Sequence, residues 1–255
     1  MTNADSIKFE YIKEDEDLFN SDQKELWKSI EQKYLELKNK CLDNIEIKTS
    51  CSHKEWVTCR VNLHVTTSIM RLLYLTESFC DNSKKFNSVA SAANIKSMVE
   101  IPMHLGYLLW IISEHSTFDT IKPKLHALAF GNRDHDTGLT NNPLISQKEL
   151  HKKTDLMLKK LFDNDENTLN IIETVYKEAN AIGHHNFEGR NLLNGVQNGD
   201  ASGGVWRQKD RKEWFVFISG QIFQLFFYAD TILQITSVLE NAIAHCIEHL
   251  PETIG

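Results

Sequence analysis

Three short stretches of this chain set ionisable side chains at spacings that a helix would gather on one face. Arg60, His64, Thr67 and Arg71 follow one another at steps of 4, 3 and 4. A cation, an imidazole, a hydroxyl and a second cation in such a row can bind an anion. A solvated stripe whose arginines pair with acids is the plainer alternative. Lys96, Glu100 and His104 recur at successive steps of 4 among Met98, Val99, Ile101, Leu105, Leu108, Leu109 and Trp110. A carboxylate and an imidazole amid that much hydrocarbon must find partners, because an unpaired buried charge is costly. The group is either a structural Lys96–Glu100 pair one helical turn apart or part of a site.

The third stretch runs Glu173-Thr-Val-Tyr176-Lys177-Glu-Ala-Asn180-Ala-Ile-Gly183-His184-His185-Asn186. Gly183 reads as a helix stop, with His184 and His185 just beyond it. The helix dipole favours charged imidazole there, so these histidines titrate close to neutral pH and suit proton transfer. The structural alternative is that they only cap the last carbonyls. Downstream come Arg190, Arg207, Lys209, Arg211 and Lys212, with Trp206 and Trp214 interleaved. Cations and aromatic rings together suit a phosphate-bearing or base-stacking ligand, although Asp210 and Glu213 dilute the patch.

Metal chemistry has weaker support. Glu100 and His104 could donate two ligands, but a di-iron bundle wants Glu-x2-His twice and this chain has none. Arg133-Asp134-His135-Asp136 is similar to an HD dyad, without the further helical His and Asp ligands that such a site needs. The glycine-rich nucleotide loops, HExxH and GxSxG are absent. The expectation is therefore no metal and no cofactor.

The elements that must position these residues read as helices. The chain has 255 residues, 41% hydrophobic and 25% charged, with 4 prolines and 11 glycines. So few breakers favour long helices over strands and turns. Helices are expected over about 21–42, 53–80, 84–115, 117–130, 146–162, 166–182 and 212–249. The turn pairs Asn194-Gly195, Asn198-Gly199 and Gly203-Gly204 mark a small hairpin pairing Leu192–Val196 with Val205–Arg207. The fold class is thus all-α: a bundle of five to seven helices with an elaborated loop before the last. Residues 1–15 read as a disordered tail and 16–250 as a single helical domain.

A net charge of −7 repels nucleic acid from the molecule as a whole, so a polyanion partner must meet a local basic patch. The five cysteines (Cys41, Cys51, Cys59, Cys80, Cys246) form no Cys-x-x-Cys pair and read as reduced thiols of a cytoplasmic protein. The polar, acidic start lacks the apolar run of a signal peptide. From Trp214 to Leu239 the only charge is Asp230, long enough to span a bilayer. However, Gln221, Gln224, Thr231, Gln234, Asn241 and His245 keep returning to one helical face. That polar stripe reads as a mostly buried helix, with no membrane association.

Two stretches carry a family resemblance. Ile95-Lys96-Ser97-Met98-Val99-Glu100-Ile101 resembles the Arg-Ser-x-x-Glu helix of a group of prokaryotic all-helical proteins within, or close to, the HEPN superfamily. Tyr176-x3-Asn180-x3-His184 resembles the Tyr-x2-Leu-Ser-x2-Val-His stretch of that group. The resemblance spans roughly residues 55–245 as a succession of elements with few matching letters. HEPN ribonucleases carry Arg-x4–6-His at a helix end, usually in a dimer whose two motifs face one cleft. Lys177 and His184 have six residues between them. Lysine replaces the arginine, and Glu178 follows where Asn, Asp or His is preferred. Lysine cannot make the bidentate phosphate contact of a guanidinium.

The resemblance implies a metal-independent endoribonuclease acting in a toxin or anti-phage setting. His184 would be the general base on a ribose 2′-hydroxyl, with Lys177 and Arg190 stabilising the phosphorane charge. It further implies a homodimer, RNA or a nucleotide as ligand, and a protein partner such as an antitoxin. Two rival readings stand beside it. One is a non-catalytic helical module that binds RNA, a nucleotide or a protein. The other is a metal-dependent bundle enzyme using His64, Glu100, His104 and His184.

Overall fold

A computed structural model describes residues 19–46, 51–85, 87–130, 145–162, 171–183, 194–200, 203–208 and 211–250. Among them lie seven helices and one hairpin: α1 (Ser21–Asn39), α2 (His53–Lys84), α3 (Ser88–Glu114), α4 (Phe118–Phe130), α5 (Gln147–Leu161), α6 (Ile171–Gly183), β1 (Asn194–Asp200), β2 (Gly203–Gln208) and α7 (Arg211–Glu248). The fold is the all-α bundle that the scarcity of breakers implies. The hairpin is antiparallel, with Asn194 opposite Gln208 and Val196 opposite Trp206, and its register shifts between Gln197 and Asp200. The expected tail over residues 1–15 lies outside the described residues.

Local chemistry fixes several helix starts. Asn20 and Gln23 cap α1 reciprocally: the Gln23 backbone N–H donates to Asn20 Oδ1 at 2.9 Å, and Asn20 N–H to Gln23 Oε1 at 3.0 Å. Ser52 and Glu55 do the same for α2, at 3.2 and 2.9 Å. Ser146 Oγ accepts from Glu149 N at the start of α5. Each exchange satisfies donors that a helix start leaves bare. The start of α6 is capped from another element, since Ile172 N donates to Asp155 Oδ1 of α5 at 3.1 Å.

The chain packs as two units. The first takes Met1–Lys38, Arg71–Glu100 and Thr174–Asp230; the second takes Asn39–Met70, Ile101–Glu173 and Thr231–Gly255. Helices α2, α3, α6 and α7 each contribute one part to either unit. In the first unit, α1 buries Trp27, Ile30, Tyr34 and Leu37 at steps of 3, 4 and 3. Leu72, Leu73, Phe79, Ile95, Met98 and Tyr228 are buried in the same unit. In the second unit, every residue of α3 from Ile101 to Ile112 is buried except His104, which is half-buried. Stretches of α3 and α7 are long and apolar enough to cross a membrane by length and composition. The most apolar 18-residue window is 78% buried inside the protein in α3 and 56% buried in α7, and α7 also buries Gln221, Gln224, Thr231 and Thr236. A core helix has this character.

Asp230, the lone charge of its apolar run, accepts from Lys33 at 2.6 Å within the first unit. Lys33 also lies 5.0 Å from the Phe226 ring centre. Both partners are partly exposed, which limits what the pair contributes. Asp230→Ala should cost about 1 kcal/mol in urea denaturation, because it strands a half-buried ammonium. A shift of the midpoint indistinguishable from zero would mean that water screens the pair completely.

Candidate functional site

The two helical stripes on α2 and α3 meet each other, one pair in each unit. In the second unit, the His64 imidazole of α2 is half-buried and hydrogen-bonded to the Leu125 backbone of α4. Burial pushes its pKa down to about 4, and the charges of His104 and Arg60 push the same way against the Leu125 bond. His64 is therefore neutral near pH 7. The Arg60 guanidinium sits 5.5 Å over the Trp56 ring, a cation–π position. The Thr67 hydroxyl is committed to its own helix, 2.7 Å from the Leu63 carbonyl and 3.2 Å from that of His64. In the first unit, Arg71 donates to Glu100 at 3.2 Å. Lys96 is half-buried nearby in sequence and is itself engaged.

These partners bear on the metal reading. Glu100 already neutralises Arg71, and the Arg60 charge disfavours a second cation beside His64. Arg60 instead lines a cleft of about 470 Å³ in the second unit, together with Leu42, Ile45, Trp56, Cys59 and Ile247. Lys54, Glu46 and Glu55 also border it, so its charges balance. None of the five cysteines is in a disulfide among the described residues, and burial pushes the Cys41 thiol up to about 11.

A second cleft in the same unit, of about 650 Å³, is cationic. Lys148, His151, Lys152, Lys153 and Lys159 of α5 line it, against two acids, Asp155 and Glu173. Lys148, Lys152 and Lys159 recur at steps of 4 and 7, which keeps them on one face. The acid on α5 is occupied. Asp155 is buried and holds the first turn of α6; burial raises its carboxyl pKa while the backbone N–H groups of Ile172 and Glu173 oppose the rise. Lys153 lies 4.0 Å over Trp110, and Lys160 pairs with Glu114 at 2.6 Å. Sequence reading missed this cleft, although Lys148-x3-Lys152-x6-Lys159 was there to be found.

Helix α6 carries the motif residues of the resemblance. Tyr176 and Asn180 are half-buried and Lys177 is exposed. Asn180 Oδ1 is buried and has no hydrogen-bond partner among the described residues. Glu178 is close enough to act electrostatically on the buried Tyr228 hydroxyl, whose pKa is raised chiefly by burial. The helix ends at Gly183, as the glycine there implies. His184, His185 and Arg190 lie outside the described residues, as does the Arg133–Asp136 loop. Arg207 stands on β2 with its backbone opposite Gly195. Comparison with family models, with curated proteins and with solved structures finds no match to this chain.

Proposed function

We propose that this protein is a HEPN-like RNA-binding helical protein of the cytoplasm, acting in a toxin or anti-phage setting with no metal at its RNA site. The observation that carries this reading is the α5 cleft. In a chain with a net charge of −7, four lysines and a histidine converge on one concavity. Lysines are point charges that contact phosphates without reading bases, so the ligand is a nucleic-acid backbone or a nucleotide rather than a particular sequence. RNA is chosen over DNA by the resemblance alone, which also supplies the expectation of a homodimer and of a protein partner.

The test is binding of a fluorescent single-stranded RNA across a salt series. Lys148→Gln/Lys152→Gln/Lys159→Gln should weaken binding about tenfold and flatten the slope of log affinity against log salt by roughly 2. Unchanged affinity and slope would remove the cleft from consideration.

Cleavage is the second reading, favoured by one observation: Lys177 is exposed on a helix that ends at Gly183, immediately before His184 in sequence. Wild type and His184→Ala expressed in bacteria separate the two. Growth arrest with RNA degradation from wild type alone supports cleavage, with His184 as general base. Intact RNA from both leaves binding without cleavage, which lysine in place of arginine at position 177 favours.

A further inference from the structure

The end of α7 carries three side chains that the RNA reading does not use. His245, Glu248 and His249 are all exposed, and one donor atom from each lies within 4.8 Å of the other two. The two histidines are one helical turn apart, with ring centres 4.8 Å from each other. His249 Nδ1 is 3.0 Å from the His245 carbonyl oxygen. A carbonyl only accepts, so Nδ1 carries the hydrogen and the lone pair of the neutral ring sits on Nε2. Metal-binding imidazoles are oriented in this way, by a hydrogen bond from the nitrogen that does not touch the ion.

We infer that His245, Glu248 and His249 form a binding site for a borderline divalent cation of the zinc, nickel and copper class. Two imidazoles and one carboxylate suit these ions, whereas magnesium and calcium ask for more oxygen ligands. Zinc bonds of about 2.0–2.1 Å set tetrahedral ligands roughly 3.4 Å apart. The three exposed side chains must therefore draw closer together, which rotamer adjustment supplies. A cation here also meets the negative end of the α7 dipole.

The base of the site is held in place. His249 N–H donates to the Cys246 carbonyl and Leu250 N–H to that of Ile247, both at 3.3 Å. Leu250 is buried at 3% exposure, which anchors the turn. Three protein ligands leave a fourth position for water, so the cation clamps the last turn of α7 without closing its own coordination sphere. In the sequence His245 belongs to a polar stripe, and the spacing of His245, Glu248 and His249 differs from the paired Glu-x2-His of a di-iron bundle.

Titration of the chelator-treated full chain with zinc, followed by calorimetry at about pH 7.5, tests the site. One equivalent should bind with a Kd on the order of 1 μM. His245→Ala and His249→Ala should each weaken it at least about tenfold, and Glu248→Gln by less. Circular dichroism should be unchanged in all three, since these side chains are exposed. Long-range proton–nitrogen spectra should move the Nε2 signal of His249 and leave its Nδ1 protonated. Either of two results would overturn the inference: no saturable binding below about 100 μM, or binding that survives both histidine substitutions. RNA binding is not involved, so failure of one reading leaves the other standing.

Discussion

Gly106→Ala is expected to cost the fold about 3 kcal/mol, because a β-carbon at that position would lie 2.5 Å from Thr154 Cγ2, 2.9 Å from Oγ1 and 3.0 Å from Cβ. Thr154 has nowhere inexpensive to go. It is fully buried, and its hydroxyl donates to the Met103 carbonyl of α3 at 2.7 Å. Rotating the side chain breaks that bond and strands a buried hydroxyl, at roughly 1–3 kcal/mol. Moving α5 away from α3 instead opens the packed contact, at a similar cost. Alanine's better helix propensity returns about 1 kcal/mol, already allowed for in the net figure. For a chain of this size the thermal midpoint should fall by roughly 6–12 °C.

Adding Thr154→Ala to Gly106→Ala removes the two closest atoms and should recover much of the loss, although Thr154→Ala alone is itself destabilising. That non-additive cycle separates a clash from a general weakening of α3. A midpoint for Gly106→Ala within about 2 °C of wild type would mean that the two helices do not approach this closely.

The contact matters to function because α5 presents the cationic cleft. Three consecutive residues of that helix are tied to two neighbouring elements: Lys153 lies over Trp110 of α3, Thr154 bonds Met103 of α3, and Asp155 caps α6. Lys148, Lys152 and Lys159 are left on the remaining face, along the cleft. A lysine array recognises phosphate spacing only if its helix does not move, and the Gly106–Thr154 contact helps to hold it. On the proposed function, Gly106→Ala should therefore weaken RNA binding as well as stability, and Thr154→Ala in the same chain should restore part of both.

How much of this was legible in the sequence depends on whether the deciding interaction is local. Helices α2 and α5 start at Ser52 and Ser146, each followed three residues on by a glutamate, a signal visible in the letters alone. The end of α2 lies beyond the expected residue 80. Asp81-Asn82-Ser83 looks like a break, yet the helix continues to Lys84, because Asn82 bonds Ser78 and the buried Ser83 meets Ser91 Oγ. The described helix α6 begins at Ile171 rather than near residue 166, and its cap, Asp155, comes from another helix. No local reading reveals such a cap.

The candidate site divides in the same way. Steps of 3 and 4 placed Arg60, His64 and Arg71 on one face and Glu100 and His104 on another, but whether those faces met was a tertiary question. The cationic cleft is hard to see in the letters because Glu149 and Asp155 interrupt the lysines and offset two of the five positive charges of α5. Folding turns those acids to other uses, Glu149 toward the Tyr107 hydroxyl at 3.1 Å and Asp155 toward Ile172. Only then is the excess of positive charge separated out.

The meeting of α2, α3 and α4 around His64 leads to the second large effect. His64 is held neutral with its pKa lowered to about 4, whereas an unfolded chain protonates it near 6.5. Below pH 6.5 the unfolded state takes up a proton that the native state refuses, so acid favours unfolding. The stabilisation is complete above about pH 6.5 and is lost as the pH falls through about 4. The shift corresponds to on the order of 3 kcal/mol. Burial is the chief cause; the Leu125 bond of α4 opposes it by favouring the imidazolium, while His104 of α3 and Arg60 of α2 add to it. His115, whose pKa is also lowered by burial, adds an acid sensitivity of the same sign, so wild type must be compared with a variant rather than read alone. His64→Gln cannot titrate. Its stability deficit relative to wild type at pH 7.5 should shrink by about 3 kcal/mol by pH 4, measured by urea denaturation at each pH. A deficit that stays constant across this range would mean that His64 protonates freely in the folded protein, and that the imidazole is open to solvent rather than enclosed by the three helices.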